Sequence, residues 1–172
     1  MKLIEPPDIH YMNAARGWMG LGDLDSACEE LEKIAPELCN DPRVLELSWE
    51  VYSSAGRWSD CVRIATRHIE VTADSAEGWL NKAYALRRAP GGGLEQAKAV
   101  LLATREKFPD HPLVAFNLGC YDCCLGNHKD ALNWIEMAVR LAPESLKLSM
   151  MAVNDPDLEA IWPDICKLLA IE

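Results

Sequence analysis

Three thiols crowd into five residues at Cys120-Tyr121-Asp122-Cys123-Cys124. On a helix, residues three and four apart share a face, so the sulfurs of Cys120, Cys123 and Cys124 would line one side, with His128 just beyond. Thiolates and imidazole bind zinc and softer ions, and a nearby arginine pair, Arg87-Arg88, could lower a thiol pKa. A thiol-based metal-binding or redox-sensing module is therefore one reading of this stretch. Two features oppose it. Structural zinc takes four ligands around a tetrahedron, and three sulfurs on one continuous helix face do not surround an ion. Gly126-Asn127 also turns the chain before His128. Cysteine is equally a small, weakly polar residue suited to close helix packing, and that is the expected role, with no bound metal and no cofactor.

No other constellation carries catalytic chemistry. The four histidines, His10, His68, His111 and His128, are scattered. Gly91-Gly92-Gly93 follows no strand and so makes no phosphate cradle. Glu29, Glu30 and Glu32 read as a solvated helix face. The expectation is a protein that is not an enzyme.

The bulk composition narrows the partners. Twenty-seven acidic residues against 17 basic give a net charge of −10, which repels phosphate backbones and anionic headgroups. Nucleic acid and membrane surfaces are thus not expected partners. The first residues, Met1 to Pro7, lack the apolar run of a targeting segment, and no stretch approaches the roughly 20 apolar residues that cross a bilayer. Seven cysteines, an odd number without a small-scaffold pattern, fit reduced thiols in a cytoplasm.

The elements that must position these residues show themselves as a repeat. Tyr11, Leu45 and Trp79 are spaced 34 apart, as are Gly22 and Gly56, Ala27 and Cys61, Ala97 and Ala131, and Pro109 and Pro143. Gly56 and Gly126 are 70 apart, two more than twice that period, so an insertion falls in Ala89-Pro90-Gly91-Gly92-Gly93. Each period reads as two helices. In the last, Leu113, Phe116, Leu118 and Tyr121 make one apolar face between Pro112 and Leu125. Ala131, Leu132, Ile135, Ala138 and Val139 make another between Lys129 and Leu141. Asp41-Pro42 and His111-Pro112 put proline at a first helical position, where its missing N–H costs nothing. No alternating strand pattern occurs. The expected fold is all-α.

These residues resemble the tetratricopeptide repeat, whose 34-residue pattern runs W-x2-L-G-x2-Y, a small residue, then A-x3-F and P. Pro112 to Pro143 follows it at Leu118-Gly119, Leu125-Gly126, Ala131, Ile135, Ala138 and Pro143. Trp79, Ala83, Ala97, Leu101 and Pro109 carry it in the third repeat, and Tyr11, Ala15, Gly22, Ala27 and Leu31 in the first. The second keeps Leu45, Tyr52 and Gly56. Two departures stand out: Trp49 takes a small-residue position, which predicts looser packing, and Asp122 stands where the family buries a tyrosine, leaving Tyr121 to fill the space. The implied architecture is a single domain over 1–172, a right-handed superhelical solenoid of four repeats (8–41, 42–75, 76–111, 112–145) with a C-terminal cap over 146–172. In the cap, Ser145 to Val153 reads as a short helix and Asn154-Asp155-Pro156 as a break. Leu158, Ile161, Trp162, Ile165, Leu168 and Leu169 form a final amphipathic stripe, divided at Pro163. Asp155-Pro156-Asp157-Leu158 with Trp162 also resembles the ends of small bacterial repeat proteins of this family.

The resemblance implies a groove lined by the first helix of each repeat and used to hold a protein or peptide. Carried onto this sequence, the candidate peptide-binding residues are Arg16, Glu50, Asn81, Tyr84, Arg87, Arg88, Phe116, Asn117 and Cys120. Asn81 and Asn117 could hydrogen-bond an extended backbone, Tyr84 and Phe116 could anchor it, and Arg87 with Arg88 could meet an acidic group. The family's carboxylate clamp of lysine and asparagine is missing, its positions holding Met12, Arg16, Glu46, Glu50, Leu80, Tyr84, Phe116 and Cys120. Self-association into a homodimer through exposed Leu80, Leu113 and Phe116 is a further reading.

Overall fold

The computed structural model describes residues 3–142 and 146–169, and every regular element among them is helical. Four helix pairs run in order: α1 (Asp8–Leu21) and α2 (Leu24–Glu32), α3 (Pro42–Ser54) and α4 (Trp58–Val71), α5 (Glu77–Leu86) and α6 (Leu94–Lys107), α7 (Pro112–Cys124) and α8 (His128–Leu141). Pro143, the expected stop of α8, and Ser145 lie outside the described residues. After them come α9 (Leu146–Asn154), a 3-10 segment (Pro156–Ile161) and α10 (Trp162–Leu169).

Local chemistry sets the joints. Gly22, Gly56 and Gly126, the recurring glycines, all adopt positive φ (81°, 67° and 81°), a conformation that a side chain disfavours and that ends the first helix of a repeat. Asp23 and Asp41 then cap α2 and α3, their carboxylates accepting from the Ser26 and Arg43 N–H groups, each at 3.0 Å. Pro42 and Pro112 each open a helix, as expected. Asp8 ties the start of α1 to the end of the same repeat by accepting the Ala35 N–H at 2.7 Å.

Where a single domain was expected, the chain divides into two compact units, Met1–Gly92 and Gly93–Glu172. The division falls in the glycine-rich insertion. The first unit packs α1 on α2, α3 on α4 and α4 on α5, around Met12, Ala15, Ala27, Leu45, Leu47, Val51 and Cys61. The second packs α6, α7 and α8 together around Leu101, Val114, Leu118 and Ile135.

Within the second unit α7 is buried on most of its circumference. One side faces α8 so closely that a Cβ on Gly119 would stand 2.7 Å from Ile135 Cδ1. Another side is covered by the 3-10 segment, whose Leu158 and Ile161 are buried. Pro163 does not divide the last helix. It sits in the first turn of α10, where no N–H is needed, and so begins it.

Candidate functional site

The open surface with the most structured chemistry lies on α3 and α5. Glu46, Trp49 and Glu50 from α3 and Glu77 and Asn81 from α5 line a cleft of about 170 Å³. Spacing on each helix explains the set, because residues three and four apart share a face. Trp49, at the small-residue position, is only partly buried, while its neighbour Ser48 is buried in the pair. The indole N–H of Trp49 is shielded and has no acceptor. Tyr84, 40 % exposed, stands edge-on to Trp49 and Trp58, with ring centroids 6.1 and 5.9 Å away.

The electrostatics of this face are set by which charges are already engaged. Arg88 lies over the Tyr84 ring at 3.5 Å and the Trp58 ring at 5.4 Å, and donates to the Tyr84 carbonyl at 3.0 Å. Arg43 is held by Asp41 at 2.6 Å, and that guanidinium keeps the Asp41 carboxyl below the usual carboxylate range. On the acidic side, Glu46 approaches buried His68 at 4.0 Å. Glu50 and Glu77 form no ion pair among the described residues. The cleft therefore presents carboxylates beside aromatic rings.

A second polar centre lies within the other unit and was not anticipated. Asp122 is 1 % exposed. One of its carboxylate oxygens, Oδ1, accepts from Lys98 Nζ at 2.6 Å and Asn127 Nδ2 at 2.8 Å, and Oδ2 accepts from Trp134 Nε1 at 3.0 Å. It thereby joins α6, α7 and the start of α8. Tyr121 is also buried, taking up the aromatic packing as expected. Beside this centre, Leu102, Trp134 and Met137 wall a cleft of about 300 Å³.

Paired helices, glycine-ended first helices and a 34-residue period together define a comparison with known folds. No protein-family model matches the sequence, and no curated protein does. Solved structures do match. MamA (41-end) from Desulfovibrio magneticus RS-1 superposes with a TM-score of 0.67 at 18% identity, over 98% of this chain and 97% of that one. A thermophilic TPR protein of Thermus thermophilus gives 0.61 at 18% identity, over 93% and 99%. The TPR2AB-domain:pHSP90 complex of yeast Sti1 gives 0.57 at 16% identity, over 92% and 69%. The chain has the tetratricopeptide-repeat fold.

With the tetratricopeptide fold in place, the nine expected contact residues separate clearly. Glu50 and Asn81 come together in the α3/α5 cleft, with Tyr84 and Arg88 in the adjoining aromatic cluster. Arg87 is half-buried and Arg16 exposed. Asn117 spends its amide on the Leu113 carbonyl of its own helix at 2.7 Å. Phe116 and Cys120 are corrections. They are 2 % and 3 % exposed, because the chain's own C-terminal segment covers that side of α7. The family pattern treats all first helices as equally open, whereas here the 3-10 segment covers the last one.

The cysteine cluster is likewise split by its surroundings. Cys123 is buried against the Ala160 backbone, Cys120 faces Asp155 with Sγ 3.8 Å from Oδ2, and Cys124 is exposed with Sγ 3.9 Å from the Asp157 carbonyl oxygen. His128 begins α8 and is exposed.

Proposed function

We propose that this chain is a non-catalytic protein-interaction scaffold whose α3/α5 face receives a basic, extended segment of a partner protein. The observation that carries the reading is the cleft in which Glu46, Glu50 and Glu77 surround Trp49 and Asn81. A lysine or arginine side chain has the complementary form: an apolar stem for the indole and a cationic head for the carboxylates. Asn81 offers both a donor and an acceptor to the backbone of the same segment. The sequence pattern points to an acidic group at Arg87 and Arg88, whereas the cleft beside the Arg88–Tyr84 contact is lined by three glutamates, which favour a basic ligand.

The yeast complex supports this reading by showing a protein of the same fold bound to pHSP90. The net charge of −10 favours cationic partners at long range and disfavours nucleic acid and anionic membranes. No helix among the described residues is long and apolar enough to cross a membrane. Seven free cysteines suit a reducing compartment such as the cytoplasm.

Fluorescence anisotropy with three labelled peptides of equal length tests the proposal, one rich in lysine and arginine, one rich in glutamate, one neutral. The basic peptide is expected to bind best, and Tyr84→Ala combined with Glu50→Lys to weaken it by dismantling the aromatic wall and reversing a cleft charge. Equal binding of all three peptides, or full binding by the double variant, would overturn it.

A further inference from the structure

We propose a divalent metal site, best suited to zinc, between α7 and the turn that precedes the 3-10 segment. Its donors are Cys120, Asp155 and Asp157, with a fourth position left to solvent, as in open zinc sites. Cys120 Sγ and a carboxylate oxygen from each aspartate lie within 4.8 Å of one another. A zinc ion with Zn–S near 2.3 Å and Zn–O near 2.1 Å holds sulfur and oxygen about 3.6 Å apart around a tetrahedron. The Cys120 Sγ to Asp155 Oδ2 separation, 3.8 Å, is already close to that.

The arrangement answers the objection that three cysteines on one helix face cannot surround an ion. Cys120 supplies one donor from α7, and two aspartates on a segment more than thirty residues further on supply the others. Cys123, the third sulfur, is directed elsewhere, to the Ala160 backbone. Asp155 is fixed in position by its capping role, since its Oδ1 accepts the Asp157 N–H at 3.0 Å while Oδ2 faces the sulfur. Cys120 is more than nine-tenths buried and aims its thiol at this carboxylate. A thiol is a weak donor, so a cation is the better neighbour for two carboxylates and a buried sulfur. Binding would displace the Cys120 thiol proton to solvent and leave one thiolate and two carboxylates around the ion. It would also pin the C-terminal segment to α7. This site is independent of the α3/α5 cleft.

Cobalt(II) titration of the metal-stripped full chain reads the site directly, because a thiolate ligand produces a sulfur-to-cobalt charge-transfer absorption. The expected result is that band at one equivalent, displaced by zinc, with one zinc per chain in native mass spectrometry. Cys120→Ser should remove most of the band, and Asp155→Asn or Asp157→Asn should each weaken zinc by more than about tenfold. Cys39→Ser, in the other unit, should change nothing. Absence of the charge-transfer band in the wild-type chain overturns the proposal without reference to any variant. So does unchanged zinc affinity in a Cys120→Ser chain that keeps its helical circular dichroism.

Discussion

At the residue scale, Asp122 shows how one side chain can hold three helices together. A carboxylate without its hydrogen bonds is costly to bury, and here three donors from α6, α8 and the turn between α7 and α8 meet it. Asp122→Ala would strand Lys98, Asn127 and the Trp134 indole together. The expected loss is about 3 kcal/mol in urea denaturation, while replacing both charged partners as Lys98→Met with Asp122→Leu should cost less. A single-variant loss no larger than that of a surface substitution would show the centre to be incidental. None of this was legible locally: Lys98 lies 24 residues before Asp122 and Trp134 lies 12 after. Only the departure from an aromatic pattern marked the position as unusual. Cys61, by contrast, is legible as a packing residue from its size and its 34-residue spacing from Ala27, and it is fully buried, with burial pushing its thiol up to about 11.

At the element scale, the repeat was legible because it is written in backbone needs: a glycine after three of the four first helices, prolines at helix starts, small residues where paired helices touch. The closest of these contacts is Gly119 on α7 against Ile135 on α8. Gly119→Ala should destabilise the chain by about 2 kcal/mol through overpacking. In an Ile135→Val background, which removes the Cδ1 atom in the way, the same change should cost less, a coupling that a double-mutant cycle measures directly. Simple additivity of the two changes would contradict the contact. The C-terminal elements were less legible. Their apolar stripe was visible, but not the face it would cover, because no repeat partner fixes its register. The outcome was that Phe116 and Cys120 were read as open when Leu158 and its neighbours lie on that side of α7.

At the scale of the whole molecule, charge is the property that most constrains partners. The chain carries −10 overall, yet what matters for recognition is which charged groups stand open to a partner. Arg43 and Arg88 are engaged by Asp41 and by the aromatic rings, whereas Glu50 and Glu77 stand at an open cleft. The family pattern places residues on helix positions but carries no information on which charges are engaged. The most direct measurement is therefore isothermal titration calorimetry of a lysine- and arginine-rich peptide against the wild-type chain and against Glu50→Lys with Glu77→Lys. Saturable binding that weakens with added salt, and falls by more than about tenfold on charge reversal, is the predicted result. Undiminished affinity in the reversed chain, or equal affinity of the wild type for a glutamate-rich peptide, would contradict it.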